Sequence, residues 1–469
     1  MTTIVMVGSG VVGMCSAMLL ARDGHQITVL ERDPALPPAD AAAAWADWER
    51  RSVAQFRNGH LFLSRFREEL SRELPEVVTA LEDFGALRIN TLDGLPESFT
   101  GPVLPEDRRF DVLTARRPVC EAALARVADQ TAGLTIRRGV AVSGLVLADG
   151  SEHSVPRVTG VRTEEGEEVM ADLVIDAGGR RSPFQRWLTE AGAAVTEDVD
   201  DLGFVYYGRH FASEDGSVPA AHGGGLTHYG SVSILSLAAD NGTWSLILVA
   251  SAKDKAMRAL TDTTTWTNVM RQFPLTAHWL DGEPLSDKME VMAGIADIRR
   301  HLVIDGKPAV EGVVAIGDAS SATNPSVGRG ASIGLLQAIA LRDTLAATGS
   351  DDLHALAIAF HDACEERVSP YVQDTVVFDR TRLDIIESAM NGVDYVNDDP
   401  GYLLGQALAN GVGRHPDLLR GYLEVANLLA RGADVLSRPG MAELAIEHGA
   451  AAPPPGPGRH DLLELLGTS

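Results

Sequence analysis

Thr3-Ile4-Val5-Met6-Val7-Gly8-Ser9-Gly10-Val11-Val12-Gly13 decides the fold of this chain. Residues 3–7 are a short apolar, largely β-branched run, as a buried parallel strand requires. Residues 11–22 have helical character, and Gly24 stands where a helix C-terminus is expected. Residues 26–30 (QITVL) form a second strand ending in Glu31. This is a βαβ unit whose glycines have separate tasks. Gly8 makes the turn, Gly10 admits a pyrophosphate, and Gly13 lets the helix lie on the strand. The helix N-terminus offers free N–H groups to phosphate. Glu31 is placed to accept from ribose hydroxyls, with Arg32 beside it.

Two later segments repeat the logic. Residues 171–175 (ADLVI) are a strand running into Asp176-Ala-Gly-Gly-Arg-Arg-Ser182, with Gly178 at the point of close approach. Read alone, this is equally a plain strand-turn-helix. Residues 312–316 (GVVAI) are a strand followed by Gly317-Asp318. Asn324-Pro325-Ser326-Val327-Gly328-Arg329-Gly330-Ala331 then leads into a long helical stretch. Asp318 is placed to accept from a sugar-alcohol chain. Gly328, Gly330 and Ala331 aim a helix N-terminus at the pyrimidine edge of a flavin, whose reduced form is anionic there. Three such walls, in this order, point to FAD.

Composition narrows the partners. The chain has 469 residues, with 65 acidic against 40 basic, for a net charge of -25. That field repels nucleic acid and anionic lipid. Only four lysines occur, none before Lys253. Three cysteines are too few for a disulfide framework or a zinc site, so a reducing cytoplasm is expected, and no metal. The longest early apolar run is too short to span a bilayer.

With these residues in view, the chain resembles the FAD-dependent monooxygenases of the para-hydroxybenzoate hydroxylase type over roughly residues 1–345. Arg50-Arg51-Ser52-Val53-Ala54-Gln55-Phe56-Arg57 with His60, Val205-Tyr206-Tyr207-Gly208-Arg209, and the Asn324-Pro325 and Gly328–Ser332 runs look like segments of bacterial flavin epoxidases and hydroxylases of polyether and other natural-product biosynthesis. The resemblance implies an α/β fold (α+β overall) with a Rossmann-like FAD-binding domain. It also implies that reduced flavin captures O2 at C4a as a hydroperoxide and passes one oxygen to a hydrophobic substrate. Arg116 or Arg117 occupies the position of an arginine that contacts FAD in the wider family.

Two departures matter. Gly178 stands where the hydroxylase pattern has Asp, which leaves NAD(P)H acting directly or through a partner reductase. No lysine lies in the N-terminal half and no WxWxIP segment is present, which argues against halogenation. A flavin reductase of the geranylgeranyl-reductase kind shares the altered middle motif and stays open as the alternative. So do epoxidation and hydroxylation, and the oligomeric state.

The catalytic candidates are His60 and Gln55, in a loop expected near the flavin, with Asn324 and Pro325. His60 is equally read as a packed core histidine. Tyr206, Tyr207, Arg209 and Trp244 are candidate pocket residues, although ordinary sheet packing accounts for each. Residues 1–185 and 290–345 are expected to form a discontinuous FAD-binding domain. Residues 186–289 would be an inserted antiparallel sheet, 346–449 a helical cap, and 450–469, with its AAPPPGPGR run, a flexible tail.

Overall fold

The computed structural model describes residues 1–53, 55–149, 155–451 and 453–467. Strand β1 (Thr3–Val7), helix α1 (Val11–Arg22) and strand β2 (Gln26–Glu31) form where the sequence places them. A five-stranded parallel sheet grows around β1 in the order 313–315, 173–176, β1, β2, 134–138. Val5 faces Val174 on one side and Thr28 on the other. Helices α1, 330–348 and 353–367 cover one face, and a three-stranded antiparallel sheet (142–147, 158–163, 168–170) with helix 184–190 covers the other, so Ile4, Val5 and Met6 are all shut from solvent.

The ends of all three motifs meet beside this sheet. A Cβ on Gly8, whose φ is +105°, would lie 2.5 Å from the Ala177 carbonyl oxygen. A Cβ on Gly334 would lie 2.3 Å from Val12. That second glycine lets the Gly330–Thr348 helix close against α1.

The second unit is an antiparallel sheet in the order 226–228, 233–238, 243–251, 196–212, 290–301, 321–322. Strand Glu290–His301 pairs with Thr196–Ala212 from Thr196↔His301 to Gly208↔Glu290. The domain boundary expected at 289/290 therefore falls inside this sheet, because residues 290–301 are the partner that completes a 17-residue strand. One face packs on a dry core that includes Trp244, Trp266 and Phe273. The other meets Leu383, Ile386 and Met390 of the Ser369–Met390 helix and the loop at Gly59.

Residues 353–367 and 369–390 are consecutive helices, and shorter helices follow to residue 448. The expected flexible tail is corrected in part. Arg459–Leu465 is a helix whose Leu462 is 1% exposed in the Trp266 core, and Arg459 pairs with Asp254. Apolar spacing at 462 and 466 outweighs the preceding proline run.

Candidate functional site: a flavin cleft

The phosphate end is built as the glycine spacing requires. Gly13 abuts the Gly8 carbonyl oxygen, 2.5 Å from where its Cβ would be, whereas a Cβ on Gly10 would meet nothing within 4 Å. The packing glycines are thus tight, and the one meant to face a ligand opens on free space. Glu31 is 5% exposed. Its Oε2 accepts from the Ser9 N–H at 2.9 Å and the Ser9 hydroxyl at 2.7 Å, and pairs with Arg50. Its Oε1 takes the Asp33 N–H at 2.9 Å and keeps capacity for another donor. Burial alone would raise this carboxyl, but the Arg50 guanidinium and these hydrogen bonds hold it below the usual range. Arg32 points to solvent.

Arg50 is a functional residue that spacing alone did not single out. It is 5% exposed and bonds Glu31, the Ser9 carbonyl at 3.0 Å, and Glu121 at 2.5 Å. A strand-tip glutamate and a fully buried helix glutamate therefore share one guanidinium. A loop arginine gives no periodic signal that could have marked it.

At the other end, Asp318 follows the 313–315 strand in a short 3-10 turn. Its carboxylate takes no hydrogen bond among the described residues. Burial raises it, while the charges of Arg180, Arg117 and Arg300 pull against that rise. Arg180 donates to the Thr323 carbonyl at 2.7 Å and Arg300 to the Ala319 carbonyl at 2.9 Å, so both arginines staple the Asp318 turn. Pro325 is exposed and opens a second 3-10 turn, which ends at Gly328 with φ +68°. Gly330 begins the long helix, within 3.6 Å of Asp318 by its missing Cβ, and Ala331 is half-buried in its first turn. Gly178 is exposed and donates its N–H to Asp176 at 2.9 Å.

Arg116 and Arg117 have different partners. Arg116 is committed to Asp240 through its backbone N–H at 2.7 Å and its guanidinium at 2.5 Å, and is corrected to a link between the two units. Arg117 bonds Glu121 at 2.6 Å, and its charge reaches both Asp318 and His60.

Strand 196–212 decides the pocket. Its odd residues Val205, Tyr207 and Phe211 lie in the dry core, and its even residues Phe204 and Tyr206 lie on the flavin side. Three pocket candidates are therefore corrected. Tyr207 is buried on the far face, where its carbonyl accepts from Trp266 at 3.0 Å. Arg209 stacks over Phe211 and donates to the Ser286 carbonyl at 3.1 Å. Trp244 packs on Phe211 and donates to the Trp279 carbonyl at 2.8 Å. Each obeys the period of two. Tyr206 alone of the four stays on the near face, with its hydroxyl bonded to Asn324.

The near face carries Leu235, Ile247 and Ile295, with half-buried Leu226, Leu237, Met292, Leu383 and Met390 beside them. The 55–60 loop lies across it. A Cβ on Gly59 would strike Ser245 at 2.3 Å and Leu237 at 3.1 Å, and Asn58 reaches Met292. Gln55 is half-buried in this loop and its carbonyl takes the Asn58 N–H at 3.1 Å. His60 follows. Its Nε2 is buried with no hydrogen-bond partner, and burial, reinforced by Arg117, holds its ring well below the usual histidine range. His60 is thus a neutral imidazole with an unused nitrogen.

These groups fit FAD. Open space lies at Gly10, acceptor capacity remains on Glu31, and an unbonded carboxylate and a helix N-terminus sit at the far end. No group of His, Cys, Asp and Glu able to hold a metal occurs among the described residues, and no helix there is long and apolar enough to cross a membrane.

Comparison with known proteins agrees. Protein Rv3254 of Mycobacterium tuberculosis is 29% identical over 393 residues, covering 78% of this chain and 77% of its own. The flavin-dependent brominase Bmp2 superposes with a TM-score of 0.62 at 16% identity, over 95% of this chain and 98% of its own. PqsL, a probable FAD-dependent monooxygenase from Pseudomonas aeruginosa, gives 0.58 at 16% identity, over 82% and 96%. At such identities the structures share the fold alone. The FAD binding domain family matches residues 1–375, and the chain belongs to that family of flavin-dependent oxidoreductases.

Proposed function

We propose that this chain is an FAD-dependent monooxygenase that places one oxygen atom of O2 on a hydrophobic small metabolite, by epoxidation or hydroxylation. The observation that carries the reading is that the loop seating Gly59 on the apolar near face runs directly into His60, whose buried Nε2 has no hydrogen-bond partner. Leu235, Leu237, Ile247 and Met292 would bind an apolar substrate by excluding water from it. A dry cleft also keeps reduced oxygen from escaping as peroxide.

FAD, when bound, supplies the activation of O2. The chain's residues do the rest. The N-terminus of α1 and Gly10 would hold the pyrophosphate, Glu31 the ribose, and Asp318 the ribityl hydroxyls. The Gly330–Thr348 helix would stabilise negative charge at the ring edge, with Arg117 adding to it. His60, uncharged near neutral pH, would hold or give a proton at Nε2 where oxygen is transferred. Electrons would come from NADH or NADPH, directly or through a partner reductase. Exposed Gly178, where an acid is absent, supports a role for the reductase.

The test uses ¹⁸O-labelled O2 with purified holoprotein, a reductase and lipophilic substrates. One labelled oxygen in the product supports the proposal. Substrate conversion with no label incorporated would overturn it and favour a reductase.

A further inference from the structure

The Ser369–Met390 helix carries an acid that oxygen transfer leaves without a task. Asp379 is 0% exposed. Its Oδ1 accepts from Asn324 Nδ2 at 2.8 Å, and its Oδ2 has no partner. Asn324 is itself fully buried. Its backbone N–H donates to Asp297 Oδ1 at 2.8 Å, and the second oxygen of Asp297 is also unpartnered. The Asn324 Oδ1 accepts from the Tyr206 hydroxyl, and its Nδ2 also donates to Ser326 at 3.1 Å. One asparagine is thus gripped by two buried carboxyls and a tyrosine. It immediately precedes the Pro325–Val327 turn that leads to the flavin-facing helix.

The charges around Asp379 do not neutralise it. Asp297 faces it from strand 290–301, Tyr206 from strand 196–212, and Arg329 from the turn. Arg329 spends a guanidinium N–H on Thr375 at 3.0 Å and makes no hydrogen bond to Asp379. On the acid's own helix, Arg380 is held by Asp200, Arg382 by the Tyr229 and Val232 carbonyls, and Asp374 by Arg431. Two carboxyls in one dry site cannot both ionise cheaply. Burial and then Asp297 push Asp379 well above the usual range, and burial pushes Asp297 up to about 6.

We propose that Asp379 keeps its proton in the working protein and acts as a positioning residue. As the neutral acid it holds Asn324 between Tyr206 and Ser326, and so fixes the 325–330 turn at the flavin edge. Loss of that proton puts an uncompensated charge behind the turn and loosens it. This rests on the flavin reading but not on oxygen transfer.

The experiment follows the visible spectrum of bound FAD from pH 6 to pH 9, and the unfolding temperature from pH 5 to pH 9, in wild type, Asp379→Asn and Asp297→Asn. Wild type should show a one-proton spectral transition. Asp379→Asn should keep FAD and lose the transition. Asp297→Asn should move the midpoint to lower pH, because a like charge is gone. The sign for stability is fixed. A carboxyl raised in the folded state stabilises while protonated, and that contribution falls away as pH climbs from its unfolded value, near 4, through its folded one. The wild-type unfolding temperature should therefore drop with pH relative to Asp379→Asn.

Parallel melting curves for the two proteins would overturn the proposal. So would a spectral transition that survives in Asp379→Asn. If that variant does not fold, an unmoved midpoint in Asp297→Asn overturns it. If no protein retains FAD, the flavin reading fails separately and the melting curves still decide.

Discussion

The two faces of the antiparallel sheet are made from the same strands and do opposite work. The far face is closed by Trp244, Trp266, Phe273 and Leu462, all at most 3% exposed. The near face carries Tyr206, Ile247 and Leu235, but beside them lie half-buried apolar side chains and buried groups with unused hydrogen-bonding atoms. Unspent polar atoms occur on both sides, on the Trp279 indole and the Tyr229 hydroxyl of the far core as well as on His60, Asp297 and Asp379, while the Trp244 and Trp266 indoles are bonded. What differs is the cover: the far face is sealed by residues 257–280 and Leu462, whereas the near face meets the Ser369–Met390 helix and the loop that carries Gly59.

The contrast can be broken, beginning with the far face. Trp266→Ala should cost about 3–5 kcal/mol in urea unfolding while any folded fraction keeps its FAD spectrum. Equal loss of flavin and of stability would mean that the faces are not separable. Arg116→Met should be almost as costly, about 3–5 kcal/mol, because it strands buried Asp240. Arg117→Met should cost less, about 1–3 kcal/mol, because buried Glu121 keeps Arg50 as a partner, and it should weaken FAD binding, read by equilibrium dialysis. The reverse pattern would return Arg116 to the cofactor. His60→Ala should lower product formation by roughly 10²-fold with peroxide released instead, and leave the melting temperature nearly unchanged. A large stability loss with coupling intact would make His60 a core residue. Smallest, Tyr206→Phe should cost about 1 kcal/mol for the lost hydrogen bond to Asn324, measured by the same urea series.

The cofactor half was legible because its constraints are local. Gly8, Gly10 and Gly13 answer to backbone approach over a few residues, and Glu31 ends an unmistakable strand. The sheet was legible as a sheet but not by face. Its strands run apolar on both sides, as in residues 231–239 (SVSILSLAA), so no alternation separates Tyr206 from Tyr207. Only the observed pairing settles the parity, through Tyr206↔Val249 and Tyr207↔Leu248. Asp297 and Asp379, and the role of Arg50 within its recognised run, were invisible for another reason. Each is a charged residue whose partner lies on another element, and a linear pattern carries no trace of that pairing. The Arg459–Leu465 helix was hidden by the prolines before it.

The contact between Gly334 and Val12 has a consequence for the nascent chain. The turn before α1 is synthesised more than 300 residues ahead of the helix that would complete the far wall of its site. FAD could therefore not be fully enclosed until that later helix has been made and has closed on α1. A shortage of FAD would leave the polypeptide waiting with an open seam between the two.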